Sequence, residues 1–213
     1  MTAAVAWILS LLTLALPPDR IAAEPGWHET PAAREARYQA IAADVAAVVY
    51  EPGAPVLYAG PRARAHTAAL LVAVAVLESG LAADVDLGPC YRGRDGRGPR
   101  CDRGRSASCW QIRLEPGERT REGWTQADLF ADRRKAIRVA LRLMRGSFGL
   151  ARARGRLDNM SPAEIETRLL DSYAGPAGHK LGAARLKLAD KLFAKFTPPL
   201  DPVNQAAQKA SNE

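Results

Sequence analysis

The sequence predicts a mainly α-helical domain organised around one buried central helix, and three observations lead there. Apolar residues make up 47% of the 213, carried by Ala, Leu and Val, with 6% aromatic; Ala and Leu are strong helix formers, so this mix favours helices over sheets. Apolar positions recur at three- and four-residue spacing behind capping residues, which is the pattern of one buried helix face. The stretch Ala68 to Leu77 is apolar on every side, as a helix in the middle of a domain must be. A chain of this length holds one well-cored domain or at most two small ones.

The elements follow in order. Residues 1–23 form an apolar N-terminal segment, with the run Ala3 to Leu16 closed by Pro17-Pro18. Its length suits the core of a secretory signal, but no basic residues precede it, and Ile21-Ala22-Ala23 is only a passable cleavage site. A helix packed on the domain is the other reading, and both stay open. The run is too short for a stable membrane span, and no other segment reaches spanning length. The domain proper is read over 30–197. Thr30-Pro31 starts a helix as N-cap and first helical residue, with Tyr38, Ile41, Ala42, Val45, Val48 and Val49 on one face. From Arg64 to Leu77 the alanines favour a buried helix over the buried strand that the valines would suit.

Gly88 to Arg105 holds six arginines, five glycines and two prolines with no apolar periodicity, so it reads as a long basic loop. Gly93, Gly96 and Gly98 lack the flanking strand and the spacing of a phosphate-binding loop. After Gly123-Trp124-Thr125 a helix resumes, with an apolar face from Ala136 to Phe148. Its other face, Arg133 to Arg145, is expected to be solvated. Ser161-Pro162-Ala163-Glu164 is a capping box that starts a helix carrying Ile165, Leu169 and Tyr173. A last helix is predicted from about Leu181 to Phe196, and residues 198–213 read as a disordered tail.

A net charge of +7 with an isoelectric point near 9.7 concentrates polyanions, whether nucleic acid, anionic lipid or acidic wall polymers. Charge alone does not choose among them. Cys90, Cys101 and Cys109 lie close together without a nearby His, which makes a poor zinc site. One disulfide plus a spare thiol fits an exported chain and three thiols a cytosolic one. His28, His66 and His179 have no ligand spacing, so no metal or other cofactor is expected.

Glu78 is the residue that carries chemistry. It closes the most apolar segment and is followed by Ser79-Gly80, where Gly stops a helix. Burial and the negative end of the helix dipole both favour its protonated acid form, the form that protonates a leaving group in glycosidic cleavage. A solvent-facing Glu is the plain alternative.

Glu78-Ser79-Gly80, then Ser108-Cys109-Trp110-Gln111-Ile112, then Ser172-Tyr173-Ala174-Gly175 resemble the ordered motifs of the soluble lytic transglycosylases, which are related to goose-type lysozyme. Those motifs read Glu-Ser, roughly Gly-Leu-Met-Gln-Ile, and nearly Ala-Tyr-Asn-Ala-Gly, and the resemblance spans about 62–180. Ser108 stands where the family has Gly, Cys109-Trp110 replace Leu-Met, and the third motif lacks its Asn. The resemblance implies a lysozyme-like domain whose buried central helix ends at the catalytic Glu. It implies cleavage of the β-1,4 bond between MurNAc and GlcNAc in peptidoglycan strands, ending in 1,6-anhydromuramic acid. Glu78 would be general acid and base, Ser79 and Ser108 would meet the substrate, Gln111 would line the glycan groove, and Tyr173 would orient Glu78. The expected setting is the cell envelope or periplasm, or secretion, a phage origin included. The arginine loop is expected to attract peptide-stem carboxylates.

Two other outcomes stay open on the same scaffold. A second carboxylate, Asp84, Asp86, Asp95 or Asp102, would make a muramidase hydrolase, although Asp84 and Asp86 read first as loop residues paired with neighbouring arginines. An inactive peptidoglycan-binding module would account for the altered motifs. A nucleic-acid partner is not expected, because charge is its sole support and no recognition motif is present.

Overall fold

The computed structural model describes residues 1–19, 29–88, 90, 100–153 and 182–201, with backbone only for 100 and 147–153. The described part is mainly helical. Helix α1 (Ala3–Ala15) is capped by Thr2 and buries Trp7, Ile8, Leu11 and Leu12 against α2 (Pro31–Val49) and α3 (Ala63–Ser79). No described helix is long and apolar enough to cross a membrane. In α2 the Thr30 hydroxyl accepts from the Ala33 N–H at 3.1 Å with Pro31 in the first turn, the arrangement read from the sequence.

Helix α3 is the centre of the packing. Its residues from Thr67 to Ala75 are all buried, because α1 and α2 cover it on one side and the last helix, α7 (Gly182–Lys195), covers the other. The all-round apolar segment is therefore a helix and not a strand. Arg62 precedes it without a side-chain cap; Asp201 takes that place, accepting from the Arg64 N–H at 3.3 Å while its own N–H donates to Pro61 O at 3.1 Å. The chain is thus fixed against α3 as far as 201, past the expected start of a disordered tail at 198. Residues 202–213, and the helix expected from Ser161, lie outside the described residues.

Between these helices lie a short helix α4 (Ala83–Leu87), α5 (Gln126–Ala131) and the long α6 (Arg133–Ala153). Thr125 and Asp128 form a capping box on α5, and their hydrogen bonds hold the Asp128 carboxyl down at about 2. The Asp84-Val85-Asp86 segment, expected as loop, is this helix α4, and both aspartates are buried. Gly88 ends it at φ 55°, ψ 169°, a region open essentially to glycine. An added Cβ there would lie 2.7 Å from the Phe130 ring. Gly88→Ala is expected to lose about 2–4 kcal/mol from backbone strain and overpacking together. A urea midpoint equal to wild type would refute this.

The basic face of α6 is solvent-exposed at Arg134, Arg138 and Arg145, as expected, and it also carries ion pairs. Arg134 pairs with Asp44 at 2.9 Å, Arg138 with Glu51 at 2.9 Å and Arg142 with Glu122. The face opposes acids from α2, from the turn after it and from the loop before α5, so these three arginines have partners that periodicity along α6 could not show.

Candidate active site

The end of α3 builds the site. Gly80 adopts the left-handed conformation (φ 59°) and its N–H caps Val76 O at 2.9 Å, the stop expected of glycine. Leu81 is left-handed as well, at φ 51°, which is a strained choice for a γ-branched residue. Three contacts hold that turn. The Ser79 hydroxyl donates to Ala75 O at 2.7 Å and accepts from the Leu81 N–H at 3.1 Å, and Arg37 Nη2 donates to Leu81 O at 2.8 Å. Ser79 therefore serves the turn that carries Glu78, where a direct substrate contact was expected of it.

Behind the turn sits a buried charge cluster. Asp86 is fully enclosed and takes a bidentate pair from Arg133, 2.7 and 2.9 Å, with Arg37 Nη1 at 3.4 Å. Arg37 also holds Glu29 through 2.8 Å bonds, with Arg34 at 3.2 Å. Burial alone would raise the Glu29 carboxyl, but Arg37 and Arg34 outweigh it and hold it below its ordinary range. Asp86 is thereby excluded as the water-positioning second carboxylate: it is inside and committed to two arginines from α2 and α6, not to sequence neighbours.

The second sequence motif forms a β-hairpin, which sequence reading did not anticipate. Strands β1 (Ser106–Ala107) and β2 (Ile112–Arg113) pair antiparallel with Ala107 opposite Ile112, and the connecting turn has Ser108 at φ 63° and Gln111 at φ 49°. Both are left-handed positions, which gives a backbone reason for a glycine at 108. In place of the expected substrate contact, Ser108 is fully buried and its hydroxyl accepts from the Trp110 N–H at 3.3 Å. Trp110 is core, its indole N–H donating to Leu71 O at 3.1 Å. Cys109 is wholly buried, and that burial pushes its thiol up, so it is no nucleophile. The Trp110 bond fastens the hairpin to α3, the helix that ends at Glu78. Gln111 is partly exposed and donates to Ser108 O at 3.2 Å and to Cys101 Sγ at 3.4 Å.

Cys101 is disulfide-bonded to Cys90, with Cα atoms 6.2 Å apart, and the bridge packs on Val85 of α4 and on Ala82 just before it. Beyond it, Cys101, Asp102 and Arg103 all take left-handed backbone angles, a turn braced by Asp102 pairs to Arg105 and Arg113. Closing an 11-residue separation is worth about 3 kcal/mol on the chain-entropy account. Cys90→Ser, or reduction of the wild type by dithiothreitol, is expected to lower the urea-unfolding free energy by about that amount. Equal stability of reduced and oxidised protein would refute the assignment.

Glu78 itself is partly buried, its side chain 16% exposed, and its Oε1 accepts from Nη2 of Arg185, whose side chain is wholly buried. Burial and the helix end at Glu78 were expected from the sequence; the structure adds the guanidinium of Arg185, reaching it from α7. Arg185 escaped notice because it lies 107 residues away. A signal existed: it interrupts the buried stripe Gly182, Leu186, Ala189 and Leu192 of α7. Tyr173, expected to orient Glu78, lies outside the described residues, as do Asp95 and the arginines at 92, 94 and 97. A cleft of about 350 Å³ opens at the base of the hairpin between Arg105, Glu115, Arg119 and Gln126, and Glu78 does not line it. Among the described residues no cluster of His, Cys, Asp and Glu suits a metal ion.

Compared with protein-family models, with curated proteins and with solved structures, the chain finds no match in any of the three.

Proposed function

We propose that the protein is a peptidoglycan lytic transglycosylase in which Glu78 is the general acid and then the general base. The observation that carries this reading is the linkage of two sequence motifs. The hairpin that carries Ser108–Gln111 is fastened to α3, the helix that ends at Glu78-Ser79, by the Trp110 indole N–H donating to Leu71 O at 3.1 Å, although 30 residues separate the two motifs in sequence. A partly exposed carboxyl on the end of a rigid, buried helix is well placed to address a polymer from one side.

The reaction needs one carboxyl group. Glu78 gives its proton to the glycosidic oxygen as the bond to C1 breaks. The 6-hydroxyl of the same MurNAc bonds to C1 and passes its proton to Glu78, so the acid is restored and a 1,6-anhydro ring closes. Hydrolysis would need a second carboxylate with space for a water. Asp86 is locked between Arg37 and Arg133 and Asp84 is buried, which favours the intramolecular route.

The test is digestion of purified peptidoglycan, with fragments read by mass. Anhydro-muropeptides from the wild type and none from Glu78→Gln support the proposal. Reducing-end fragments would make the protein a muramidase. Binding to sacculi without fragments would leave a wall-binding module, a reading that the engagement of Glu78 by Arg185 keeps in play.

A further inference from the structure

We infer that Arg185 is the positioning residue of the Glu78 acid, fixing one carboxyl oxygen so that the other faces the glycan; this rests on the transglycosylase reading above. The inference starts from where Arg185 sits. Its neighbours on the inner face of α7 are Gly182, Leu186, Ala189 and Leu192, all buried against α3. Arg185 occupies a place in that stripe and its side chain has no solvent exposure.

A guanidinium in such a position is costly. Removing the ion from water carries a desolvation cost, and a Met or Leu would pack there without it. Stability therefore does not explain the arginine. Its stem crosses the α3–α7 interface and its Nη2 ends on Oε1 of Glu78, one residue before the end of α3. Two negative features converge at that point, the carboxyl group and the C-terminal end of the helix dipole. The cation answers both.

The pairing also divides the carboxyl group by function. Oε1 is held from inside by Arg185, while the Glu78 side chain keeps 16% of its surface open. Oε2 is left to carry the proton toward the glycosidic oxygen. After that transfer, and before the 6-hydroxyl returns a proton, Glu78 carries a full negative charge beside a guanidinium that need not move. A partner already oriented in a dry interface stabilises that charge without reorganising.

The experiment uses soluble, uncrosslinked glycan strands and the full chain, with wild type, Glu78→Gln, Arg185→Met and Arg185→Lys run together. Arg185→Met is expected to lower kcat about 10²-fold, the loss typical of a misplaced catalytic group, with KM within twofold. Arg185→Lys is expected to recover part of that kcat, since it restores the charge but not the planar geometry. If Arg185→Met does not fold, Arg185→Lys decides alone: a kcat below wild type at unchanged KM supports the inference, and wild-type kcat overturns it. Wild-type kcat in folded Arg185→Met, or a loss confined to thermal stability, also overturns it and leaves the transglycosylase reading intact. Absence of fragments from the wild type sinks both readings.

Discussion

Glu78→Gln should reduce release of anhydro-muropeptides by about 10³–10⁴-fold, the upper part of the range for general acid–base catalysis, because in the proposed mechanism one side chain serves both proton transfers. The substitution keeps the volume and leaves an acceptor for Arg185, so the fold should survive. The circular dichroism spectrum is expected to stay close to wild type. The Arg185 pair makes the stability readout informative. Removing the carboxylate leaves a buried guanidinium facing a neutral amide, so a modest loss of stability is expected beside the loss of turnover. A variant that digests peptidoglycan at the wild-type rate would remove Glu78 from the chemistry and return the site to a structural role.

Asp86→Ala should be the most destabilising single change at this site, losing about 3–5 kcal/mol by leaving Arg37 and Arg133 buried without their carboxylate. For a chain of this size that corresponds to a fall in Tm of roughly 10 °C or more. The cluster also contributes to acid sensitivity. Glu29 is held below its ordinary value of 4.5 by Arg37 and Arg34, so its stabilisation is fully present above that value and is lost as the pH falls through the lowered one. Asp86→Asn, which keeps the shape, separates structure from chemistry. Material that still folds should release fragments with anhydro ends, because Asp86 activates no water. A switch in product ends would reinstate it as a second carboxylate, and an unfolding free energy within about 0.5 kcal/mol of wild type would refute the buried cluster, that being the range of ordinary surface changes.

Helix starts and the helix that runs through the core were legible in the residues themselves. Thr30-Pro31 and the all-apolar Ala68–Leu77 segment encode their structure locally, since capping and burial patterns depend on neighbours three and four residues away. Gly80 marked the end of α3 for the same reason, and Glu78 followed from it. The hairpin was not legible. Ser108 and Gln111 are not turn-specific residues, and their left-handed angles are imposed by the packing of Cys109 and Trp110 beneath them. Asp86 read as a loop residue because its arginines come from α2 and α6, 49 and 47 positions away.

The sequence by itself determined the mainly helical class, the order of the long helices α2, α3, α6 and α7, and the placing of Glu78 at the end of the central one. It did so through short-range periodicity and capping, which a linear pattern carries in full. The tertiary structure alone decided what lies around and behind that carboxyl group: Arg185 across the α3–α7 interface, and Asp86 locked between Arg37 and Arg133. Those are long-range pairings between buried charges. Sequence spacing does not encode them, because which charges meet in a low-dielectric interior depends on how the helices pack.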